Sequence, residues 1–242
     1  QWVLLFALYL GLTQKIDKAK WSWNLLIILA LLIEYSYAIM LVVAYSLLRI
    51  FNLKFKKEIF FKFIKDFFII GILLLLTFYL VGYFEVRIVD TLARGFGRDK
   101  LNLLSFFDSY NSNYNILWSR FLPDIQLSLF EEQEGFNYFG LGQIIILIFA
   151  LTLIFRKRYK TYIAHIRNDK KIKTFVIISI FFTLWALSNK ISFGSLTLIE
   201  IPLNKYIYAM LSVAKNTGRM FWIVNYFIII MSILIIYKFF FS

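Results

Sequence analysis

Apolar residues run through this chain in blocks rather than in narrow stripes. Hydropathy and length mark spans at 1–12, 25–50, 67–84, 142–155, 174–187 and 220–237, separated by polar connectors. The pattern predicts an all-α integral membrane protein, a polytopic helical bundle of about six spans. The first span is read as truncated, because residue 1 is Gln and the apolar run starts at once. Nothing there has the basic, apolar and small-residue order of a cleavable signal peptide, so the numbered chain is expected to begin inside a longer protein. Residues 1–242 read as one transmembrane domain with two long polar insertions, at 85–139 and 189–219.

A helical period appears in two connectors. Over 51–68, Lys54, Glu58, Lys62 and Lys65 recur on one side, and Phe55, Ile59, Phe60, Phe63 and Ile64 on the other, which predicts a helix lying in the membrane surface. After the helix-blocking Pro202, the residues Ile207, Met210, Leu211 and Ala214 follow the i, i+3, i+4, i+7 rule and predict a short interfacial helix. No internal repeat of fixed period is apparent.

Composition fixes the class. Hydrophobic residues make up 61% of the 242, with 28 Phe and only 2 Pro, against nearly one half in a soluble domain. The formal net charge of +13 would suit nucleic acid only if the cations shared a face on a water-soluble fold. Here they sit in runs between apolar blocks, so nucleic acid is excluded as a partner and a lipid bilayer takes its place.

Charge then orients the connectors. The pieces 49–66 and 156–173 carry about +4 and about +7 and are assigned with Lys238 to the cytoplasm, by the rule that positive loops stay inside. The insertion 85–134 carries about −3 and is assigned to the outer face. Parity puts 13–20 and 189–219 outside as well, although they are mildly basic, at about +2 and about +3.

Chemistry is sparse in the spans and concentrated in the insertions. Cysteine is absent, which excludes thiol catalysis, and the single His165 stands among arginines and lysines, which argues against a histidine metal centre. Glu34 lies inside an apolar run, where a carboxylate must be protonated, paired or hydrated; function and structural support are both open for it. In the long insertion, Asp108 and Glu134 are the acids of interest, the latter preceding the glycine and aromatic string GFNYFGLG at a helix mouth. GFGRD at 95–99 lacks the spacing of a dinucleotide-binding turn, yet Arg98 and the local amides suit an anion. Lys190, in SNKISFG, and Arg219, in TGRMFW, stand at later span ends. A guanidinium flanked by Gly218, Phe221 and Trp222 suits either a bidentate grip on a lipid phosphate or plain interfacial anchoring.

Taken in order, FGRDKLNLLSFFD (96–108), WSRFLP (118–123), EGFNYFGLG (134–142), SNKISFG (188–194), IPL (201–203) and TGRMFW (217–222) resemble a family of bacterial polytopic membrane proteins. That family is similar to the GT-C superfamily of glycosyltransferases, which use polyprenyl-phosphate sugars. The resemblance covers about 25–235. It implies a helical bundle in the bacterial cytoplasmic (inner) membrane that moves a sugar from the lipid-linked donor to a saccharide, lipid or protein acceptor on the extracytoplasmic side. The superfamily's key acid lies in a first outer loop, expected upstream of this chain, so the catalytic base stays unassigned with Glu134, Asp108 and Glu34 as candidates. Arg219, Lys190, Arg98, Asn137 and Tyr138 are the candidate substrate-binding residues. Where such proteins carry His followed by Tyr, this chain has Glu34 and Tyr35. A divalent cation is compatible with the chemistry and not demanded by it.

Two other readings stand beside this one. A transporter or flippase of a lipid-linked saccharide calls for broken helices and charge at mid-membrane. A noncatalytic membrane assembly subunit calls only for polar loops that pack on partners.

Overall fold

Long runs of Leu, Ile and Phe with few breakers favour helix, and the computed structural model is mostly helical. It describes residues 1–52, 57–85, 96, 97, 99–111, 115–125, 127, 137–155, 168–211 and 216–241. In chain order the elements are α1 (Trp2–Thr13), α2 (Lys20–Ile33), α3 (Tyr35–Asn52), α4 (Lys57–Val81), β1 (Tyr110–Asn111), β2 (Ile116–Leu117), α5 (Leu141–Phe155), α6 (Lys170–Leu187), β3 (Lys190–Phe193), β4 (Leu196–Glu200), α7 (Lys205–Leu211) and α8 (Trp222–Phe241). Short 3₁₀ turns occupy Tyr83–Glu85 and Thr217–Phe221. Two compact units result: Gln1–Ile88 with Asp169–Ile178, and Val89–Asn168 with Ser179–Ser242.

In the first unit the apolar block 25–50 is not one span. Glu34 is extended, with φ −164° and ψ 133°, and ends α2. Its amide still donates to Ala30 O at 2.8 Å, its carbonyl receives Tyr37 N at 3.1 Å, and Ser36 Oγ donates to its carboxylate at 2.7 Å. The chain therefore turns back. Trp23 meets Tyr45 with ring centroids 5.4 Å apart, and Lys20 and Arg49 both bind Asp66, so α2 and α3 run antiparallel about Glu34. At about 1.5 Å per residue the 14-residue α2 is roughly 21 Å long, short of the roughly 30 Å hydrocarbon core.

The same ion pairs correct the assigned sides. Arg49 binds Asp17 as well as Asp66, Lys20 completes a four-member network, and Lys171 Nζ donates to Leu12 O at 2.9 Å. Partners in an ion pair cannot stand on opposite faces of a bilayer. Connector 13–20, expected outside, therefore shares one end of the unit with 49–66 and the start of α6. Close packing holds this end: a Cβ on Gly11 would overlap the Phe175 ring and press on Leu48, so α1 approaches α3 and α6 only because it carries glycine there.

Six spans are not supported. Among the described residues, two helices are long and apolar enough to cross a membrane, Ile64–Val81 and Thr217–Phe241. The other apolar helices fall short for identifiable reasons: α1 and α5 have 12 and 15 residues, the 25–50 block is divided at Glu34, and α6 begins with Lys170, Lys171 and Lys173. The two candidates could anchor the protein in a membrane, and α4 presents Leu75, Leu76, Tyr79 and Leu80 outward, as a lipid-facing helix does. The surface helix expected over 51–68 is not separate either, because α4 runs unbroken from Lys57 into its apolar part; residues 53–56 lie outside the described residues.

An all-α fold is also corrected, since the second unit contains two small antiparallel sheets. β3 and β4 pair through Lys190↔Glu200, Ile191↔Ile199, Ser192↔Thr197 and Phe193↔Leu196, with a bulge after Ile191. Gly194, at φ +60°, and Ser195 make the turn between flanks rich in β-branched residues. β1 pairs with β2 through Tyr110↔Leu117 and Asn111↔Ile116. Helix α5 packs along α8, where Gln143 bonds Asn225. Where a short interfacial helix was expected stands α7, seven residues long and started by Asn204, whose side chain receives Tyr206 N at 3.0 Å; Ala214 lies outside the described residues.

Candidate functional site

Five of the six motifs singled out in the sequence meet one another in the second unit. The segment after Gly97 enters at a tight crossing: Gly97 has φ +85°, and a Cβ there would collide with Asn189 Oδ1. Leu101 N then donates to Ala186 O at 2.9 Å and Leu103 N to Ser192 O at 3.0 Å, so the chain lies along the start of β3, with Asn102 in a parallel bridge to Ser192. Asn102, fully buried, is the centre of this seam. Its Nδ2 donates to Gly194 O at 2.8 Å, and its Oδ1 receives Gly194 N at 2.9 Å and Leu104 N at 3.0 Å. Beside it, buried Lys100 donates to Ser192 Oγ.

The same segment reaches the entrance to the last helix. Asp99 O receives Gly218 N at 2.9 Å, and Asn137 Nδ2 donates to Gly218 O at 3.2 Å, so both polar backbone groups of Gly218 are held. Phe106 stacks on Phe139 at 4.7 Å and meets Phe221 at 4.9 Å, and Phe139 N donates to Phe106 O at 3.2 Å. Two motifs thus fix one 3₁₀ turn in a third. Within it Thr217 is fully buried, and no described residue bonds its hydroxyl. Arg219 follows, half-buried, its guanidinium 5.7 Å from the centre of the Trp222 ring. Partial burial lowers the local dielectric, which strengthens the attraction of this cation for an anion, and the ring fixes one face of its fork.

Asp108 is fully buried at the other end of the segment. Its Oδ1 receives Ile125 N at 3.2 Å and Tyr110 N at 3.3 Å, and no described residue donates to Oδ2. Burial pushes its carboxyl above the usual range; the two amides oppose this, and nearby Asp124 adds to it. Ser109 Oγ closes the same loop by donating to Ser119 O at 2.9 Å and Leu122 O at 3.1 Å. This is the work of a loop clamp as much as of an acid.

The remaining candidates separate. Lys190 pairs with Glu200 across β3 and β4, both largely exposed, a contact that contributes little to stability. Tyr138 is half-buried next to Asn137. Glu34 belongs to the first unit, at the α2–α3 turn. Arg98 and Glu134 lie outside the described residues. No group of three His, Cys, Asp or Glu side chains that could hold a metal ion occurs among the described residues.

Sequence reading missed the seam residue Asn102 and the buried Thr217, whose roles depend on partners far along the chain. It also missed an open cavity of about 450 Å³ lined chiefly by Phe96, Phe181, Leu184, Trp185, Leu203 and Leu211. Ser188 and Asn189 supply its polar edge, and Asn189 is the residue that Gly97 crosses. An apolar groove of this size beside a polar frame suits part of a lipid chain.

The sequence profile of a family described as a domain of unknown function, DUF6311, matches residues 1–241, and the chain belongs to that family. No curated protein and no solved structure matches it.

Proposed function

We propose that this DUF6311 protein is a glycosyltransferase of the bacterial cytoplasmic membrane, which it crosses more than once. It moves a sugar from a polyprenyl-phosphate-linked donor to an acceptor on the extracytoplasmic side. The observation that carries the reading is the bolted turn at Thr217–Phe221: Asp99 and Asn137 hold Gly218, Phe106 and Phe139 pack on Phe221, and Arg219 stands half-buried against Trp222. In this reading Arg219 binds the donor phosphate through two N–H groups and stabilises the charge that grows as the sugar leaves. The apolar cavity takes part of the lipid. A carboxylate deprotonates the acceptor hydroxyl, with Glu34, Asp108 and Glu134 as the candidates within the chain.

A second reading, a flippase for the same lipid-linked saccharide, is favoured by one observation: the helix break at Glu34 inside an apolar block. The full-length protein in proteoliposomes, given a labelled polyprenyl-phosphate sugar and mixed acceptors, separates the two. Covalent transfer of label that falls about 100-fold in Arg219→Ala is expected. Movement of unchanged donor across the bilayer without transfer would replace the enzyme reading with the flippase.

A further inference from the structure

The end of the first unit where α1, α2, α3 and α6 meet carries more positive charge than its own fold uses. The acids described there are satisfied internally. Asp66 binds both Lys20 and Arg49, Asp17 binds Arg49, and Asp169 receives the amides of Lys171 at 2.7 Å and Ile172 at 3.3 Å as the cap of α6. Around this neutral core stand Lys15, Lys18, Lys65, Lys170 and Lys173, all exposed. The contacts of Lys171 with Leu12 and of Lys20 with Asp66 draw the three basic segments to one end.

The surface adjoining these lysines is apolar and aromatic. Trp21 is 70% exposed and lies beside Lys20, whose ammonium is 5.6 Å from its ring, while Phe61 and Phe68, at 65% and 68%, flank Lys65 on α4. Residues of this kind face lipid tails and headgroups, with lysine stems reaching from the apolar zone into the phosphate layer. An anion approaching the lysine rim therefore comes from the membrane surface.

We propose that this end of the first unit is a binding surface for anionic phospholipid headgroups, with Lys15, Lys18, Lys65, Lys170 and Lys173 contacting the phosphodiester oxygens. The surface is independent of the catalytic reading of the second unit. Each lysine near an anionic leaflet strengthens binding by about fivefold.

The test uses full-length protein in detergent, titrated separately with phosphatidylglycerol, phosphatidylcholine and inorganic phosphate, with bound molecules counted by native mass spectrometry. The wild type is expected to retain phosphatidylglycerol at least about tenfold better than phosphatidylcholine, with a preference that shrinks as salt is raised. The combined variant Lys15→Gln, Lys18→Gln, Lys170→Gln, Lys173→Gln is expected to lose that preference to within about twofold while unfolding at the wild-type temperature in detergent alone; the matching four-arginine variant keeps it. Equal retention of the two lipids by the wild type, or an undiminished preference in the glutamine variant, would overturn the proposal. Inorganic phosphate held as tightly as phosphatidylglycerol would overturn the headgroup as occupant.

Discussion

The two units hold their polar groups in place by different means. The first gathers full charges, Asp17, Lys20, Arg49 and Asp66, into one neutral network at the end of its helices. The second buries amides and hydroxyls, Asn102, Ser105, Asn137 and Thr217, along irregular backbone, together with Asp99, Lys100 and Asp108. Charge pairs fix which helix ends meet and tolerate some slack in between. Amide bonds fix the path of a loop atom by atom. A chain that must hold one cation in a set position needs the second kind of construction, and Arg219 sits at its end.

This contrast breaks most sharply at Arg49. Arg49→Ala leaves Asp66, 2% exposed, short of a partner and is expected to cost about 3–5 kcal/mol, read as a large fall in unfolding temperature in detergent. Adding Asp66→Asn should recover part of it, because the buried charge is then gone. Asn102→Ala removes three hydrogen bonds from buried backbone and is expected to cost about 2–3 kcal/mol, with faster amide exchange at Gly194 and Leu104 and none in α2 or α3. Gly97→Ala meets both a left-handed φ and Asn189, for about 1–3 kcal/mol. Relief by Asn189→Gly would show how much of that is collision.

The smallest effect is one of pH. Folding raises the Asp108 pKa, so the folded state favours the neutral acid. The stabilisation is complete below the unfolded value of about 3.9 and is lost as pH rises through the higher folded value. Unfolding temperature should therefore decline over that interval in the wild type and stay flatter in Asp108→Asn, which keeps an acceptor for Tyr110 N and Ile125 N. Identical slopes in the two proteins would remove Asp108 as the source.

Some positions in the second unit were legible in the sequence, and the rest has a physical reason for being hidden. The positions of the motifs around Asn137, Gly194 and Arg219 were visible as polar and glycine-rich islands in an apolar chain. The β3–β4 hairpin left a signal that the hydropathy reading passed over, Gly194-Ser195 between β-branched flanks. The turn at Glu34 left almost none: no Gly or Pro marks it, and a hydropathy window cannot tell a helix that crosses from two that fold back. Charge counting gave 49–66 and 156–173 their weight, but parity assumed that 25–50 was one crossing and so put 13–20 on the wrong end. Asn102 was unreadable, because its partner Gly194 lies 92 residues away.

In the proposed function the frame of the second unit presents Arg219 to a lipid phosphate. Binding of sugar-free polyprenyl phosphate to the full-length protein tests it most directly, measured for wild type, Arg219→Ala, Arg219→Lys and Lys190→Gln. An affinity loss of about tenfold to 100-fold is expected in Arg219→Ala, a smaller loss in Arg219→Lys because a point charge replaces the fork, and a change within about twofold in Lys190→Gln. Equal binding by wild type and Arg219→Ala, or a loss confined to Lys190→Gln, would contradict it.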